Sequence, residues 1–263
     1  MDLPGLNNTR DLGGMKGAGN KAVLPGKLIR SGTLHAASPE SLAYLSSHVG
    51  MVVDFRTEKE RTEKPDPVLP GVRYCLLPVF ENPAAGIARD QESNEKAFAM
   101  IMQSPEMARE FMVRMYLGLV SNEGSVSQYR RFAHLLLEAQ DKAILWHCTV
   151  GKDRAGLAAV FVQELLGIPK EEIVEDYLKT NAYVRADLQA VKDLAGDRMG
   201  ERTEMAQEAA GWLFGARREY LDAVYRSVKE AYGGMDGFIR EALGISDAER
   251  AELQRRYLGE SLS

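Results

Sequence analysis

The chain has few cysteines, no long apolar run and no excess of basic residues, and each absence excludes a class of protein. Its two cysteines, Cys75 and Cys148, form no C-x-x-C pair, so neither a disulfide framework nor a structural zinc site is expected. No apolar run approaches the roughly 18 residues of a membrane span. The N-terminus lacks a basic start followed by an apolar stretch, which argues against a secretory signal. We expect a protein without stable membrane insertion that is cytoplasmic, or secreted without a recognisable signal peptide.

Charge and histidine spacing exclude further kinds of partner. A formal net charge of −5 without a Lys/Arg-rich run gives no basic field for nucleic acid. The four histidines show no metal-site spacing such as H-E-x-x-H. The pair Gly151-Lys152 does not belong to a nucleotide-binding G-x-x-x-x-G-K-[ST] loop, because Trp146 and Asp153 stand where glycine and Ser or Thr are required. We expect no nucleic-acid partner, no metal and no cofactor.

The sequence does contain an alternation of helix and strand signals. Short apolar runs typical of buried strands occur at residues 51–55, 72–79 and 143–147. A helix starts at Ser38-Pro39, before the first of these runs. Helices between strands imply crossover connections and a parallel sheet. After Pro169 almost all of the chain has helical apolar spacing, and a capping box at Ser246 and Glu249 begins the last predicted helix.

These elements define the expected architecture. We predict an α/β fold with a central, mainly parallel sheet flanked by helices, a helix-rich C-terminal half and helical insertions. No repeat, low-complexity tract or linker divides the chain, so residues 1–263 are expected to form a single domain. Residues 81–118 and 183–216 are the candidate helical insertions or lid.

The residues that carry chemistry lie between the strand at 143–147 and a helix that begins at Arg154. The turn between them presents backbone N–H groups at a helix N-terminus, where unpaired donors and the positive dipole end bind anions. Cys148 opens the turn, and these donors together with Arg154 favour its nucleophilic thiolate form. Arg154 closes the turn with a planar fork that can bind two phosphate oxygens. The C-x5-R pattern therefore combines a nucleophile with stabilisation of transition-state charge.

A known family has a similar loop. Residues 147–154 read His-Cys-Thr-Val-Gly-Lys-Asp-Arg, and this run resembles the HCxxGxxR signature of protein tyrosine phosphatases. Its Gly-Lys-Asp-Arg core is similar to that of bacterial tyrosine and dual-specificity phosphatases that also act on phosphoinositides. Other motifs of the family occur in order at residues 8–14, 28–32, 54–56, 175–181 and 232–234. The resemblance therefore spans nearly the whole chain and implies a cysteine-phosphatase-like fold.

The resemblance implies a role for each residue of the loop. Cys148 would form a phosphocysteine intermediate, Arg154 would stabilise the transferring phosphoryl group, and His147 would organise the loop as a supporting residue. The substrate-binding residues would be Thr149, Val150, Gly151, Lys152, Asp153 and Arg154. Lys152 is the position that the resemblance links to phosphoinositides, and a solvated lysine is the alternative. Residues 8–14 either brace the loop or have a purely structural role, and the structural role is the expected one.

Two aspartates compete for the role of general acid, since the sequence contains no Trp-Pro-Asp tripeptide. In the resembled family the residue at the position of Asp153 is a candidate donor of the leaving-group proton. Capping of the following helix is the alternative for Asp153. Asp54, near a predicted strand end, is either the competing acid or the ion-pair partner of a loop arginine.

The sequence thus predicts a phosphomonoester hydrolase that acts on phosphorylated protein or phosphoinositide. Phosphotyrosine is the expected substrate, and phosphoserine, phosphothreonine and phosphoinositides are further candidates. The alternative is a phosphate-binding pseudophosphatase or a slow-turnover binding module. Ala155 raises that alternative, because the resembled family usually has a Ser or Thr hydroxyl at this position.

Overall fold

The structure is a computed structural model that describes residues 3–79, 100–101, 104–139, 141–183 and 203–261. Its strands are β1 (Arg10–Asp11), β2 (Lys21–Val23), β3 (Leu28–Ser31), β4 (Val49–Asp54), β5 (Arg73–Leu76), β6 (Ala143–His147) and β7 (Leu258–Ser261). Its longer helices are α1 (Pro39–His48), α2 (Glu58–Glu63), α3 (Pro105–Ser121), α4 (Glu123–Glu138), α5 (Arg154–Leu165), α6 (Lys170–Tyr183), α7 (Thr203–Phe214), α8 (Arg218–Tyr232) and α9 (Asp247–Tyr257). Shorter helical turns occur at Ala18–Asn20, Met235–Gly237 and Phe238–Ala242.

Five strands form the main sheet, in the order β1-β3-β6-β4-β5. The last four of these are parallel to one another, and β1 pairs antiparallel with β3 at the edge. The α/β fold with a mainly parallel sheet is therefore confirmed. His147, the last residue of β6, lies opposite Ser31 of β3 on one side and Asp54 of β4 on the other. Three strands thus end side by side, immediately before Cys148.

The sheet is buried on both faces, as parallel sheets usually are. Successive residues of a strand point to opposite faces, and the two faces pack against different helices. Val52 and Leu145 join a cluster with Leu45 of α1, whereas Val53 and Trp146 belong to the larger core that includes most of α5. This packing fixes the positions of the strand ends from which the functional loops leave.

Helix starts follow the capping signals of the sequence. The side chain of Ser38 accepts a hydrogen bond from the backbone N–H of Ser41, and Pro39 is the first residue of α1. Ser246 and Glu249 form both hydrogen bonds of the predicted capping box at the start of α9. The helix starts predicted from these patterns are confirmed.

The far C-terminal segment differs from the sequence prediction. We expected almost everything after Pro169 to be helical, but Leu258–Ser261 is a strand that pairs antiparallel with Lys21–Val23. The last helix was predicted to reach Leu258 and ends one residue earlier, and the strand that follows was not predicted because its partner lies near the other end of the chain. Local apolar spacing carries no information on such a distant pairing.

The two predicted insertions are helical where the structure describes them. α3 overlaps residues 81–118 and α7 lies within residues 183–216, and α3 packs against both α7 and α8. The rest of both predicted segments, residues 81–99, 102–103 and 184–202, lies outside the described residues. No helix in the described part of the chain has both the length and the apolar character needed to cross a membrane.

Candidate active site

The loop of residues 148–153 leaves the carboxyl edge of the sheet and enters a buried helix. β6 ends at His147 and α5 begins at Arg154, so the strand, loop and helix follow one another as the sequence predicted. Open α/β sheets bind their ligands at this edge. The unpaired N–H groups at the start of a helix attract anions. The loop therefore occupies a position suited to phosphate.

Cys148 lies inside this loop with its sulfur facing a backbone donor. The residue is 2% exposed, and its Sγ accepts a hydrogen bond from the N–H of Gly151 at 3.2 Å. Gly151 has a φ of 75°, and a Cβ at this position would stand 2.6 Å from the carbonyl oxygen of Ser31. Only glycine fits there. The glycine thus permits the tight turn that aims an N–H at the sulfur.

Three carbonyl groups of the loop are held by donors from outside it. The carbonyl oxygen of Thr149 accepts from the N–H of Thr33 at 3.1 Å. That of Val150 accepts from Nδ2 of Asn8 at 3.1 Å, and that of Gly151 from Nη2 of Arg30 at 2.8 Å. The carbonyl and N–H of one trans peptide point in opposite directions. Holding three successive carbonyls on the outside therefore turns the next three N–H groups towards the inside of the loop.

Two of these three donors, Asn8 and Arg30, are held by a buried charge cluster. Asp176 of α6 binds Nε of Arg10 at 2.8 Å and Nη1 of Arg30 at 3.1 Å. Burial alone would raise the pKa of Asp176, but the two arginines lower it below its usual value. Burial and the charge of Arg10 lower the pKa of Arg30 to about 10, so Arg30 stays charged at neutral pH. Two cations therefore face one carboxylate beneath the loop, which leaves a net positive charge near Cys148.

Arg154 is oriented by a glutamate that the sequence analysis missed. Its Nη1 and Nη2 contact Oε2 and Oε1 of Glu60, each at 2.7 Å, and the Thr149 hydroxyl also donates to Glu60. Burial alone would raise the pKa of Glu60, but Arg154 holds it well below its usual range. Burial alone would lower the pKa of Arg154, and Glu60 and the charge of Cys148 raise it. Both groups are therefore ionised at neutral pH.

One signal in the sequence could have revealed Glu60. Thr57 and Glu60 form a capping box at the start of α2, with both hydrogen bonds present, and the spacing T-x-x-E is a recognised pattern for it. The capping box fixes the carboxylate at the helix start. It predicts that position, but not the partner on the catalytic loop.

His147 holds the start of the loop through contacts at both ring nitrogens. Its Nδ1 lies 3.3 Å from the carbonyl oxygen of Cys148, and its Nε2 lies 2.9 Å from Oδ2 of Asp66. Burial alone would raise the pKa of Asp66, but His147 and Arg56 lower it. No sequence pattern marks Asp66, which follows Pro65 in the segment between α2 and β5.

Asp54 is committed to an ion pair. It is 1% exposed, and its carboxylate accepts from Nε and Nη2 of Arg56, with Nη2 at 2.8 Å from Oδ2. The expected ion pair with the arginine of the catalytic loop is therefore wrong: Asp54 pairs with Arg56, whereas Arg154 pairs with Glu60. Asp54, Asp66 and His147 bring ligand atoms within 4.8 Å of one another. The same Nη2 lies 2.9 Å from Asp66, so a guanidinium already supplies the positive charge that a metal would bring.

Asp153 does not cap α5. Its side chain makes no capping hydrogen bond, and its Oδ1 instead accepts from the hydroxyl of Tyr116 at 2.7 Å.

Lys152 is 3% exposed, so the alternative of a solvated lysine does not hold. Its Nζ donates to the carbonyl oxygens of Leu213 at 2.7 Å and Gly215 at 3.2 Å. The loop lysine is thus bound to the C-terminal end of α7.

The remaining loop positions are divided between surface and core. The Val150 side chain is among the exposed apolar ones, whereas Ala155 is fully buried at the start of α5. The carbonyl oxygen of Ala155 accepts from Nε1 of Trp146 at 3.0 Å. The position where the resembled family has a hydroxyl is therefore packed against the core.

A cysteine held in a tight anion-binding loop, with an arginine six positions later, defines a cysteine-dependent phosphatase. Comparison with known proteins gives the same class. The sequence model described as "Tyrosine phosphatase family" matches residues 1–259. The chain belongs to this family of tyrosine phosphatases. It is therefore a hydrolase whose substrates are phosphorylated.

Individual relatives cover most of the chain. A Cupriavidus necator protein named as a tyrosine-protein phosphatase is 32% identical to it over 96% of this chain and 86% of its own length. The triple specificity protein phosphatase PtpB of Mycobacterium tuberculosis is 29% identical over 98% of this chain and 99% of its own length. A tyrosine-protein phosphatase of Nostoc commune is 27% identical over 86% of this chain and 71% of its own length.

Proposed function

We propose that this phosphatase hydrolyses phosphomonoesters through a phosphocysteine formed on Cys148. The observation that carries the proposal is the hydrogen bond from the N–H of Gly151 to the sulfur of Cys148, in a loop whose carbonyls are held on the outside. A phosphoryl group in this loop would meet inward N–H groups and a thiolate together. Phosphoryl transfer depends mainly on positioning and on stabilising charge in this way.

The first step forms one bond and breaks another. The thiolate of Cys148 attacks phosphorus, the S–P bond forms, and the ester P–O bond breaks with its electron pair on the leaving oxygen. That oxygen takes a proton from a general acid. Arg154 has five N–H donors. Glu60 takes two of them at 2.7 Å, and the carbonyl of Phe55 and the hydroxyl of Thr149 accept two more at 3.4 Å. We therefore assign Nε–H, which has no partner among the described hydrogen bonds, to a phosphoryl oxygen, and the two long contacts can exchange for others. In the second step water attacks phosphorus, and the sulfur leaves as thiolate with the S–P electron pair.

We assign the general acid to Asp153 rather than Asp54. Asp54 is 1% exposed, and Arg56 engages its carboxylate at both oxygens, which leaves it no route to a leaving group. The Asp153 side chain is 25% exposed, and its described hydrogen bond uses only Oδ1. Oδ2 is thus the oxygen available to carry the proton. Asp153 gives this proton to the leaving oxygen and later takes one from the attacking water.

We propose phosphotyrosine as the main substrate, and phosphoserine, phosphothreonine and phosphoinositides as further substrates. The family of the chain supports phosphotyrosine. The relative named as a triple specificity protein phosphatase supports a range wider than one phosphoamino acid. The proposal of phosphoinositides is supported by the Gly-Lys-Asp-Arg core of the loop, which is similar to that of phosphatases acting on phosphoinositides.

The test is a turnover panel with phosphotyrosine, phosphoserine and phosphothreonine peptides and phosphoinositides. Cys148→Ser serves as the blank, and mass spectrometry of the quenched enzyme locates the phosphoryl group. We expect turnover to disappear in Cys148→Ser and one phosphoryl group to appear on the wild-type peptide that contains Cys148. Turnover that persists in the variant, or a phosphoryl group on another residue, would refute the mechanism.

A further inference from the structure

Two buried tyrosines form a hydrogen-bonded chain that ends on Asp153. Tyr116 lies on α3 and Tyr177 on α6, and both side chains are fully buried. Their hydroxyl oxygens are 2.6 Å apart, and the hydroxyl of Tyr116 lies 2.7 Å from Oδ1 of Asp153. Helices that are separate in sequence therefore bring two phenols to the loop residue next to Arg154.

The direction of these two hydrogen bonds follows from the number of hydrogens that each hydroxyl can donate. A tyrosine hydroxyl has one hydrogen to donate, and an ionised carboxylate can only accept. Tyr116 therefore donates to Asp153, and Tyr177 must donate to the oxygen of Tyr116. Burial raises the pKa of both Tyr116 and Tyr177 well above the usual value, so both phenols keep their hydrogens and remain donors at working pH.

The position of the Tyr116 ring is fixed by its neighbours. It stacks on Tyr220 at 4.9 Å between ring centroids and meets Tyr177 edge-on at 6.3 Å. Nζ of Lys152 also lies on the Oδ1 side of Asp153, at 3.4 Å. Both donors therefore approach the same carboxylate oxygen. This arrangement leaves Oδ2 for the transferred proton.

We infer that Tyr116, supported by Tyr177, is a positioning residue for Asp153 in the acid and base steps of the reaction. The inference rests on the proposed function, in which Asp153 gives a proton to the leaving oxygen and becomes a carboxylate. The hydrogen bond from Tyr116 strengthens as negative charge develops on Asp153, because bonds to charged acceptors are stronger than bonds to neutral ones. The donation from Tyr177 polarises Tyr116 and adds to this effect. The two tyrosines thus stabilise and position the carboxylate form of Asp153, which is the product of the acid step and the starting form for the base step.

The test compares leaving groups in Tyr116→Phe. An alkyl phosphate needs the acid, whereas an activated aryl phosphate expels its oxygen with little help. We expect kcat/KM for the alkyl substrate to fall about ten-fold more than for the aryl substrate, as loss of one hydrogen bond to a charged group would cause. Tyr177→Phe should act in the same direction to a smaller extent. Asp153→Asn combined with Tyr116→Phe should be no slower than Asp153→Asn alone.

The matched control is Tyr257→Phe. Tyr257 is also buried, and its hydroxyl donates to the carbonyl oxygen of Leu136 at 2.7 Å. We expect this variant to slow both substrates alike or not at all. Thermal unfolding shows which variants fold. If Tyr116→Phe does not fold, the comparison of alkyl and aryl phosphates is made with Tyr177→Phe instead.

The experiment distinguishes failure of the acid assignment to Asp153 from failure of the inference on Tyr116. If Asp153→Asn slows both substrates by the same factor, the acid assignment is wrong and the inference falls with it. If Asp153→Asn discriminates between leaving groups but Tyr116→Phe slows both alike, the proposed function stands and the inference alone is overturned. Additive losses in the Tyr116 and Asp153 double variant would also overturn it.

Discussion

Glu60 and Arg154 form a two-pronged ion pair, with both N–O distances at 2.7 Å, on the rim of the catalytic loop. The pair aligns the guanidinium before any substrate arrives. We predict that Glu60→Gln lowers kcat/KM by about ten- to a hundred-fold, because bonds to charged groups contribute roughly 1.5–3 kcal/mol. Steady-state kinetics with an aryl phosphate measure this loss.

The matched control for Glu60 is its neighbour on the same helix. Glu58 also lies in the first turn of α2, but it is exposed and outside the capping box. Glu58→Gln should leave kcat/KM within about two-fold, as surface changes away from a site usually do. Equal kinetics in Glu60→Gln and the wild type would mean that Glu60 does not orient Arg154.

Cys148 should be the most reactive thiol despite its burial, because the loop N–H groups and Arg154 favour the thiolate. We predict that iodoacetamide modifies Cys148 faster than Cys75, which lies half-buried on β5. Inorganic phosphate should protect Cys148 alone. Mass spectrometry of peptides from timed samples gives both rates. Similar rates at the two cysteines, without protection by phosphate, would contradict the assignment.

Asp176 should stabilise the fold in a pH-dependent way. Its pKa is lower in the folded protein than its usual value, so its contribution is present above about pH 4 and is lost as pH falls further. Asp176→Asn removes the partner of Arg10 and Arg30. We predict a loss of about 3–5 kcal/mol in unfolding free energy at pH 7, and a smaller further loss on acidification than in the wild type.

Urea unfolding at pH 7 and pH 3.5 measures both quantities, with the lower value chosen to lie below the usual Asp pKa of about 3.9. Glu171→Gln is the control, since Glu171 pairs with Arg218 on the surface and such pairs contribute little. If Asp176→Asn matched this control at pH 7, the buried cluster would not hold the fold together.

Lys152 should act through the helix that it holds. Its ammonium donates to the carbonyls of Leu213 and Gly215, and Lys152→Met leaves these acceptors without their donor. We predict a loss of about 1–3 kcal/mol in unfolding free energy, with similar losses of turnover on phosphotyrosine and phosphoinositide substrates. A loss confined to phosphoinositides would instead show that the ammonium turns to the substrate.

Ala155 should limit the second chemical step. The resembled family usually has a hydroxyl here that helps the sulfur to leave, and Ala155 has none. We predict a burst of leaving group followed by a slower steady state, and a steady state about ten-fold faster in Ala155→Ser. Ser is preferred to Thr because the site is fully buried and extra volume is costly there. Stopped-flow kinetics with an activated aryl phosphate separate the two phases.

Ala158→Ser is the control for Ala155. It adds the same atom to the same helix at another fully buried position, and should not speed the steady state. Absence of a burst, with no gain from Ala155→Ser, would mean that another donor already serves the sulfur.

The catalytic loop and most of the sheet could be predicted because their signals are local. Residues 143–147 carry a strand pattern, and the following Cys and Arg have a fixed spacing. Glu60, Asp66 and Tyr116 could not be assigned in the same way. Glu60 meets Arg154 across 94 positions of sequence, and Tyr116 meets Asp153 across 37, so tertiary packing alone creates these contacts. The burial of Lys152 was missed for the same reason, since its partners lie 61 and 63 positions away.

The ion pair between Arg10 and Asp176, which supports the catalytic loop from below, can form only late in protein synthesis. It spans 166 positions of the chain, and Asn8 reaches Val150 across 142. Contacts of such high sequence separation form late, because the loop closure that they require is slow. A nascent chain that has already released Cys148 from the ribosome still lacks the helix that anchors Arg10 and Arg30. The catalytic loop therefore gains its Asp176-anchored supports only when α6 has been synthesised and has docked.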